Sequence, residues 1–491
     1  MSLAASLQVA RSGLTSVSEE LALVSRNVAN ANNPDATAKL GRLSAGLNGE
    51  TQIDAIDRTA NEVLLEAALS ANSAAQRAST MTTALTSLSK PIADPTQGQS
   101  PAALIGKLGE ALQAYANSPA TQAAGTTVVT AARRLAESLN SGAAAVQSVR
   151  QKADSDIATT VDTLNREMQQ FQALNSQIVR GTLAKSDVTG QLDQRDALLK
   201  KISSDIGVRS VSRQNNDMAL YTDSGITLFE TTARSITFDR TTLSAGTTGA
   251  PIKIDGVPAA GVGETMPITS GRLRALVDIR DHVAPTYQMQ LDEIARGLVA
   301  AGSESDQTSA GLPKMPGLFT STAATTATPA GAPIAGLAAQ LMINPSVDPD
   351  AGGNPSLIRD GGASGGAAYV VNPSGAPGFS ARLQALADAL SAPQSFSTRM
   401  ALETSNSVQG LATASSSWLG TELQSATQES DFRSTVYSRT TEALSSDTGV
   451  NLDQEMSHML ELERAYQASS HMITTIDGMM RTLLGAVGAT V

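Results

Sequence analysis

Cysteine is absent from the 491 residues, which removes disulfides, thiol catalysis and Cys-based zinc or iron–sulfur sites together. Histidine occurs three times, as His282, His458 and His471, none of them in an HExxH or other metal-ligand spacing. Aromatic residues are only 3% of a chain that is 41% hydrophobic. The apolar count is largely Ala, Leu and Val, which suits narrow helix–helix seams better than a bulky centre. No run approaches the roughly 18 consecutive apolar residues of a membrane helix, so membrane insertion is not expected. Lys and Arg are scattered and the net charge is −11, which argues against nucleic acid, whose phosphates need clustered cations. The first residues lack the compact apolar run of a cleavable signal peptide.

Catalytic signatures are missing too. There is no GxSxG elbow and no GxxxxGK[ST] phosphate loop, and GGASGG at 361–366 reads as a flexible loop. DPDAGG at 348–353 lacks the third acidic ligand and the closing Glu of a calcium loop, so it reads as a turn. The carboxylate pairs Glu461/Glu463 and Asp278/Asp281 read as solvated faces of amphipathic helices. Neither an enzyme nor a metal or cofactor is expected.

What is present is periodicity. Leu3, Leu7, Ala10, Leu14, Val17, Leu21, Val24, Val28 and Ala31 alternate spacings of four and three, the seam of a coiled coil. At the other end Leu452, Met459, Tyr466, Ile473, Met480 and Val487 keep one position in seven apolar, and Leu483 extends that seam. Between them, Val128 to Ala153 repeats the alternation. It resumes from Ile157 to Ile178 with a one-residue offset near Asp154–Asp156, predicting a helix of roughly 80 Å. Ser100–Pro101 reads as a helix start, and ANNPDATAKLGRLSAGLNGE at 31–50 as a loop or short extended stretch.

Near Gly207 the period changes. β-branched residues separated by Asn215–Asn216–Asp217 and Asp255–Gly256 predict short strands and turns. Helix returns after 268, bent or interrupted at Pro285. Residues 320–333 are low-complexity linker, strand character flickers at 369–371, and helix is expected again from about 395. The chain therefore reads as mainly α with inserted β, about three domains' worth by length, and nested. Residues 1–61 and 444–491 form a terminal α-helical coiled coil. Residues 62–205, 268–303 and 395–443 form a helical-bundle middle layer. Residues 206–267 make a β insert, and 304–394 a Gly/Pro/Ser-rich outer insert.

Three motifs carry a family resemblance. Residues 12–34 resemble the N-terminal signature of bacterial flagellar axial proteins, through Asn27-Val28-Ala29-Asn30 and then Asn33-Pro34. Residues 449–484 are similar to the matching C-terminal signature, most specifically at Ala465-Tyr466-Gln467-Ala468-Ser469. LDQRDALLKKI at 192–202, with Leu192, Asp193, Gln194, Arg195 and Asp196, resembles the hook-associated protein 1 family of the hook–filament junction. Without that likeness it is an amphipathic helix, with Leu192, Leu199 and Ile202 on one face and Asp196 four residues before Lys200. Asp35-Ala36-Thr37 departs from the family's Gly-Tyr and basic run, so no contact of that loop carries over.

The resemblance implies a structural, extracellular flagellar protein, exported unfolded by the flagellar type III system. Its expected partners are further copies in a ring or tube, hook protein and the second junction protein as neighbours, and an export chaperone on the C-terminal helix. Leu3, Leu7, Leu14, Val17, Leu21, Val24 and Val28, with Leu452, Met459, Tyr466, Ile473, Met480 and Leu483, are the expected assembly seam. Alternatives are another axial protein (second junction protein, rod or hook subunit), a secreted adhesin, or a wall-degrading hydrolase. The adhesin leaves both terminal seams unexplained.

Overall fold

The computed structural model describes residues 3–46, 49–90, 98–322 and 334–488. The linker at 323–333 and the side chain of Val487 lie outside the described residues. Helix α1 (Leu3–Asn30) carries the opening stripe. It leads into an antiparallel hairpin, β1 (Lys39–Ala45) and β2 (Thr51–Arg58), with a register shift between Arg42 and Leu43. A loop or short extended stretch was expected over 31–50. The missed signal is the near alternation in TQIDAIDR, with Gly49 at φ 84° helping the chain reverse.

Helix α2 (Glu62–Ser89) starts at Asn61, whose side chain accepts the Leu64 N–H. Helix α3 (Pro101–Asn117) starts as expected, with Ser100 accepting the Ala103 N–H and Pro101 in the first turn. Helix α4 (Gln122–Leu183) is the spine, 62 residues long and therefore about 93 Å. Helix α5 (Thr189–Asp205) folds back along it.

Two three-stranded antiparallel sheets follow. One is β3 (Val208–Ser212), β4 (Met218–Thr222) and β5 (Thr227–Phe229). The other is β6 (Ile236–Thr237), β7 (Ile252–Ile254) and β8 (Val257–Ala260). Their turns fall at the expected signals: Asn215 and Asn216 both have φ 58°, and Asp255 and Gly256 have φ 51° and 81°.

Helix α6 (Arg272–Asp278) does not break at Pro285. It passes through a π turn at Ile279–Val283 into α7 (Ala284–Ala301). Proline has no N–H to give and crowds the carbonyl four residues back. The wider turn, in which the Ala284 N–H reaches Ile279 O, absorbs that defect just ahead of the proline.

Strand β9 (Phe319–Ser321), helix α8 (Leu337–Gln340), strand β10 (Leu341–Ile343), helix α9 (Leu357–Asp360) and helix α10 (Ala381–Ser391) occupy the stretch expected to be an outer insert. The hinted strand at 369–371 reduces to one bridge between Gly361 and Val370. A short hairpin, β11 (Gln394–Ser395) and β12 (Ser405–Asn406), precedes α11 (Val408–Thr448), so helix begins later than the expected 395. The last element is α12 (Leu452–Gly488).

The apolar interior forms two clusters strung along α4. Its first half, Val128 to Val146, packs with α3, α7, α10 and the start of α11. Its second half, Ala153 to Phe171, packs with α5, α6 and both sheets. The one-residue offset near Asp154 marks the change of partner. Phe319, Leu341, Ile358 and Leu383 belong to the first cluster, so the described parts of the 304–394 stretch contribute to the core instead of standing wholly outside it.

Two local expectations also change. Glu304 is fully buried; its carboxylate accepts the Ala363 and Ser364 N–H groups at 3.0 Å and pairs with Arg382 at 3.3 Å. The GGASGG segment is thereby tied down. Asp278 and Asp281 are not on a solvated face: Asp278 pairs with Arg77 and Arg274, and Asp281 with Arg280.

Candidate functional site

Helices α1 and α12 lie side by side and antiparallel. Asn27 stands against Glu455, Glu20 against His458 at 3.9 Å, and Gly13 against Ser469. A single amphipathic helix is marginal in water; here each supplies the other's apolar neighbour. Val24 is buried, while Leu3, Leu7, Leu14, Val17, Leu21 and Val28 are half-buried. Helix α1 also buries Ser16, Leu23 and Asn27 on a second line. Ser16 Oγ donates to Thr51 O of the hairpin at 2.8 Å.

On α12 the seam is displaced from the expected row. Glu455, Leu462 and Ile476 are buried, and Met459, Ser469, Ile473 and Met480 half-buried. Leu452, Tyr466 and Leu483 are 45%, 43% and 55% exposed. The sequence reading followed one position in seven, whereas α1 packs between two rows three and four residues apart. Ala465, Gln467 and Ala468 face outward with Tyr466.

The Asn27 motif has a structural task. Its side-chain amide donates to Lys39 O and Glu455 Oε1, both at 2.9 Å, and its oxygen accepts the Lys39 N–H at 3.1 Å. One buried side chain thus ties α1 to β1 and to α12. Asn30 donates to Arg26 O at 2.8 Å, and Asn33 accepts the Asp35 N–H at 3.1 Å. Pro34 lines a cavity of about 50 Å³ beside Arg58 and Asp196.

The residues of 192–196 form the other half of this joint. Leu192 and Arg195 are buried, and Gln194 points to solvent. Asp193 accepts from Thr37 Oγ1 at 2.7 Å, Lys39 Nζ at 2.6 Å and Arg58 at 3.3 Å. Asp196 pairs with Arg58 at 2.6 Å, and Lys200 with Asp35 at 2.8 Å. The expected Asp196–Lys200 pair within the helix is replaced by these two longer-range pairs. Burial pushes the Asp196 carboxyl above its ordinary range against the pull of Arg58, and burial lowers the Arg195 guanidinium. Arg195 is held by Asn175 Oδ1 and Asn216 O.

Thr37, Lys39, Arg58 and Glu455 were missed. Their contacts to Asp193 and, for Glu455, to Asn27 span more than a hundred residues, so nothing local in the sequence marks them. Asp193→Asn keeps the shape of the joint but removes the charge held by Lys39 and Arg58. It is expected to cost about 1–3 kcal/mol, read by urea denaturation. A change below about 0.5 kcal/mol, the size of an ordinary surface substitution, would mean that the joint is solvated in solution.

No helix of the described residues is long and apolar enough to cross a membrane. Among the described residues no group of three or more His, Asp or Glu is placed to hold a metal ion. Comparison with protein families gives two matches. Residues 85–317 match the flagellar hook-associated protein FlgK helical domain, and residues 445–486 match the C-terminal region of the flagellar basal body rod FlgEFG proteins. Comparison with curated proteins finds no match. Among solved structures, the flagellar hook junction protein FlgK from Burkholderia pseudomallei is similar, at 22% identity and TM-score 0.42. That likeness covers 54% of this chain and 49% of that one, about half the length of the known structure.

Both matching families are flagellar, and together they span more than half of the chain. Within that class, residues 85–317 are similar to the helical domain of the flagellar hook-associated protein FlgK family.

Proposed function

We propose that this chain is a structural, non-enzymatic component of the flagellum, an adaptor between hook and filament. It leaves the cell unfolded through the flagellar type III system and folds at the hook tip. There it joins further copies of itself in a ring or tube through α1 and α12. Hook protein lies on one side and the second junction protein on the other. Before assembly an export chaperone covers α12.

The observation that carries this reading is the surface of α12 left after α1 has packed. Leu452, Met456, Leu460, Tyr466, Met472 and Leu483 remain exposed. Large apolar side chains concentrated on one solvent-facing helix mark an interaction surface, and neighbouring subunits of an axial tube would cover it. The match to the FlgK helical domain over 85–317 supports the junction over the rod or hook.

The test is where the protein sits. Antibody-labelled electron microscopy of intact flagella should place this chain in one short zone between hook and filament. Deleting its gene should leave hooks without filaments. Label along the rod, along the whole hook or over the cell surface would overturn the junction reading and favour another axial protein or an adhesin.

A further inference from the structure

A second feature lies apart from the coil and its joint. A polar cleft of about 520 Å³ opens where α4, the 244–248 turn and the start of α7 meet. Its floor includes Arg150, which is 1% exposed. Arg150 donates through Nε to Arg280 O at 3.0 Å, through Nη1 to Ser244 O at 2.7 Å, and through Nη2 to Thr247 O. All three partners are main-chain carbonyls. No carboxylate lies within ion-pair distance of it among the described residues, although Asp281 offsets part of its buried charge through space. Burial lowers this guanidinium below its ordinary range.

The rim adds two further basic side chains, His282 and Arg399, both exposed and neither in an ion pair among the described residues. Two carboxylates also line the cleft, but each is engaged elsewhere. Asp281 gives both oxygens to Arg280, at 3.0 and 2.7 Å, and accepts the Gly249 N–H. Asp292 accepts from Gly336 N, Ala338 N and the Gln288 amide, all at 2.8–2.9 Å. Burial raises the Asp292 carboxyl to about 6, which thins its negative charge in mildly acid solution. The cations left to meet a ligand are therefore Arg150 and Arg399, opposed in part by Asp292, whose partners are all neutral donors, while His282 adds a ring N–H at the rim. The π turn at Ile279–Val283, a feature frequent at functional sites, carries Arg280 into the interior and His282 to the rim.

We propose that this cleft binds a small multivalent oxyanion, with Arg150 beneath it and Arg399 and His282 closing on it. A guanidinium presents a planar fork that suits carboxylate and phosphate oxygens alike. The chain's net charge of −11 does not oppose this at close range, because charges beyond about 8 Å are screened at physiological salt. None of the lining residues belongs to α1, α12 or the joint, so the site stands or falls separately from the flagellar assignment.

Isothermal titration of the full chain with inorganic pyrophosphate and, separately, with citrate tests the site. One saturable site per chain is expected, and Arg399→Gln and His282→Gln should each weaken it about tenfold, the loss of one charge-assisted contact. Tighter pyrophosphate binding would assign a phosphate ligand and tighter citrate binding a carboxylate; either supports the site. Arg150→Met also removes three internal hydrogen bonds, so the two rim variants, whose melting curves should match wild type, decide the matter. Absence of saturable binding by either anion up to about 10 mM, weaker than a typical millimolar ligand, would overturn the proposal. So would binding that the double rim variant leaves unchanged.

Discussion

Arg280→Met is expected to destabilise the chain by about 3–5 kcal/mol, the usual cost of removing one partner from a buried ion pair. Arg280 is 0% exposed and sits between the two apolar clusters. It meets Asp154 at 3.0 Å and Asp281 at 2.7 Å, and donates to Ala250 O at 2.7 Å. Its guanidinium lies 5.4 Å from the centre of the Phe238 ring. Methionine fills much of the volume but leaves the buried Asp281 without its ion-pair partner and Asp154 with only the longer ion pair to Arg240 at 3.8 Å. Urea denaturation of wild type, Arg280→Met, Asp154→Asn and the double variant is the measurement. The double variant should lose less than the sum of the singles, because the residues share one network. A single-variant loss under about 1 kcal/mol, an ordinary hydrogen-bond value, would mean that water reaches this junction.

The second large effect separates pairing within the chain from assembly between chains. Val24 is 3% exposed and Leu462 6%, so Val24→Asp or Leu462→Asp places an unpaired charge inside the coil. Each is expected to release both terminal helices to protease in the monomer and to abolish incorporation into flagella. Leu21→Asp and Ile473→Asp, at half-buried positions, should also abolish incorporation while the middle of the chain stays folded. Tyr466→Asp should behave differently: at 43% exposed it leaves the monomer's protease pattern unchanged but still blocks incorporation. Incorporation of Tyr466→Asp at wild-type level would show that the outer face of α12 is not an assembly surface.

These outcomes bear on what could be read in the chain beforehand. Helix α4 and the opening stripe were legible because a seam repeated over many turns is a local pattern, visible without knowing its partner. The offset at Asp154–Asp156 was legible too, but its meaning was not. It marks where buried charges from α4 and the π turn replace apolar contact. The closing helix was legible as amphipathic but not in rotation, since two rows of its heptad are apolar and only α1 decides between them. Asp193 shows the limit most plainly. Its partners Thr37, Lys39 and Arg58 lie at least 135 residues earlier, and helix propensity alone counts it as a solvated acid. Buried polar networks are fixed by tertiary geometry, so periodicity gives no sign of them.

The bond from Asn27 to Glu455 joins positions 428 apart, and that separation sets an order of events. Whenever the chain is delivered in sequence, from a ribosome or through a narrow channel, α1 emerges long before its mate. The apolar interior around α4 can close from segments already present, while the stretch of 28 residues in α1 has only the adjoining β1–β2 hairpin to pack against. Contacts so remote are also slow to find, because they must overcome the entropy of the largest loop in the molecule. Closure of the coil is therefore the last act of folding, and it reports that delivery of the chain has run through to α12.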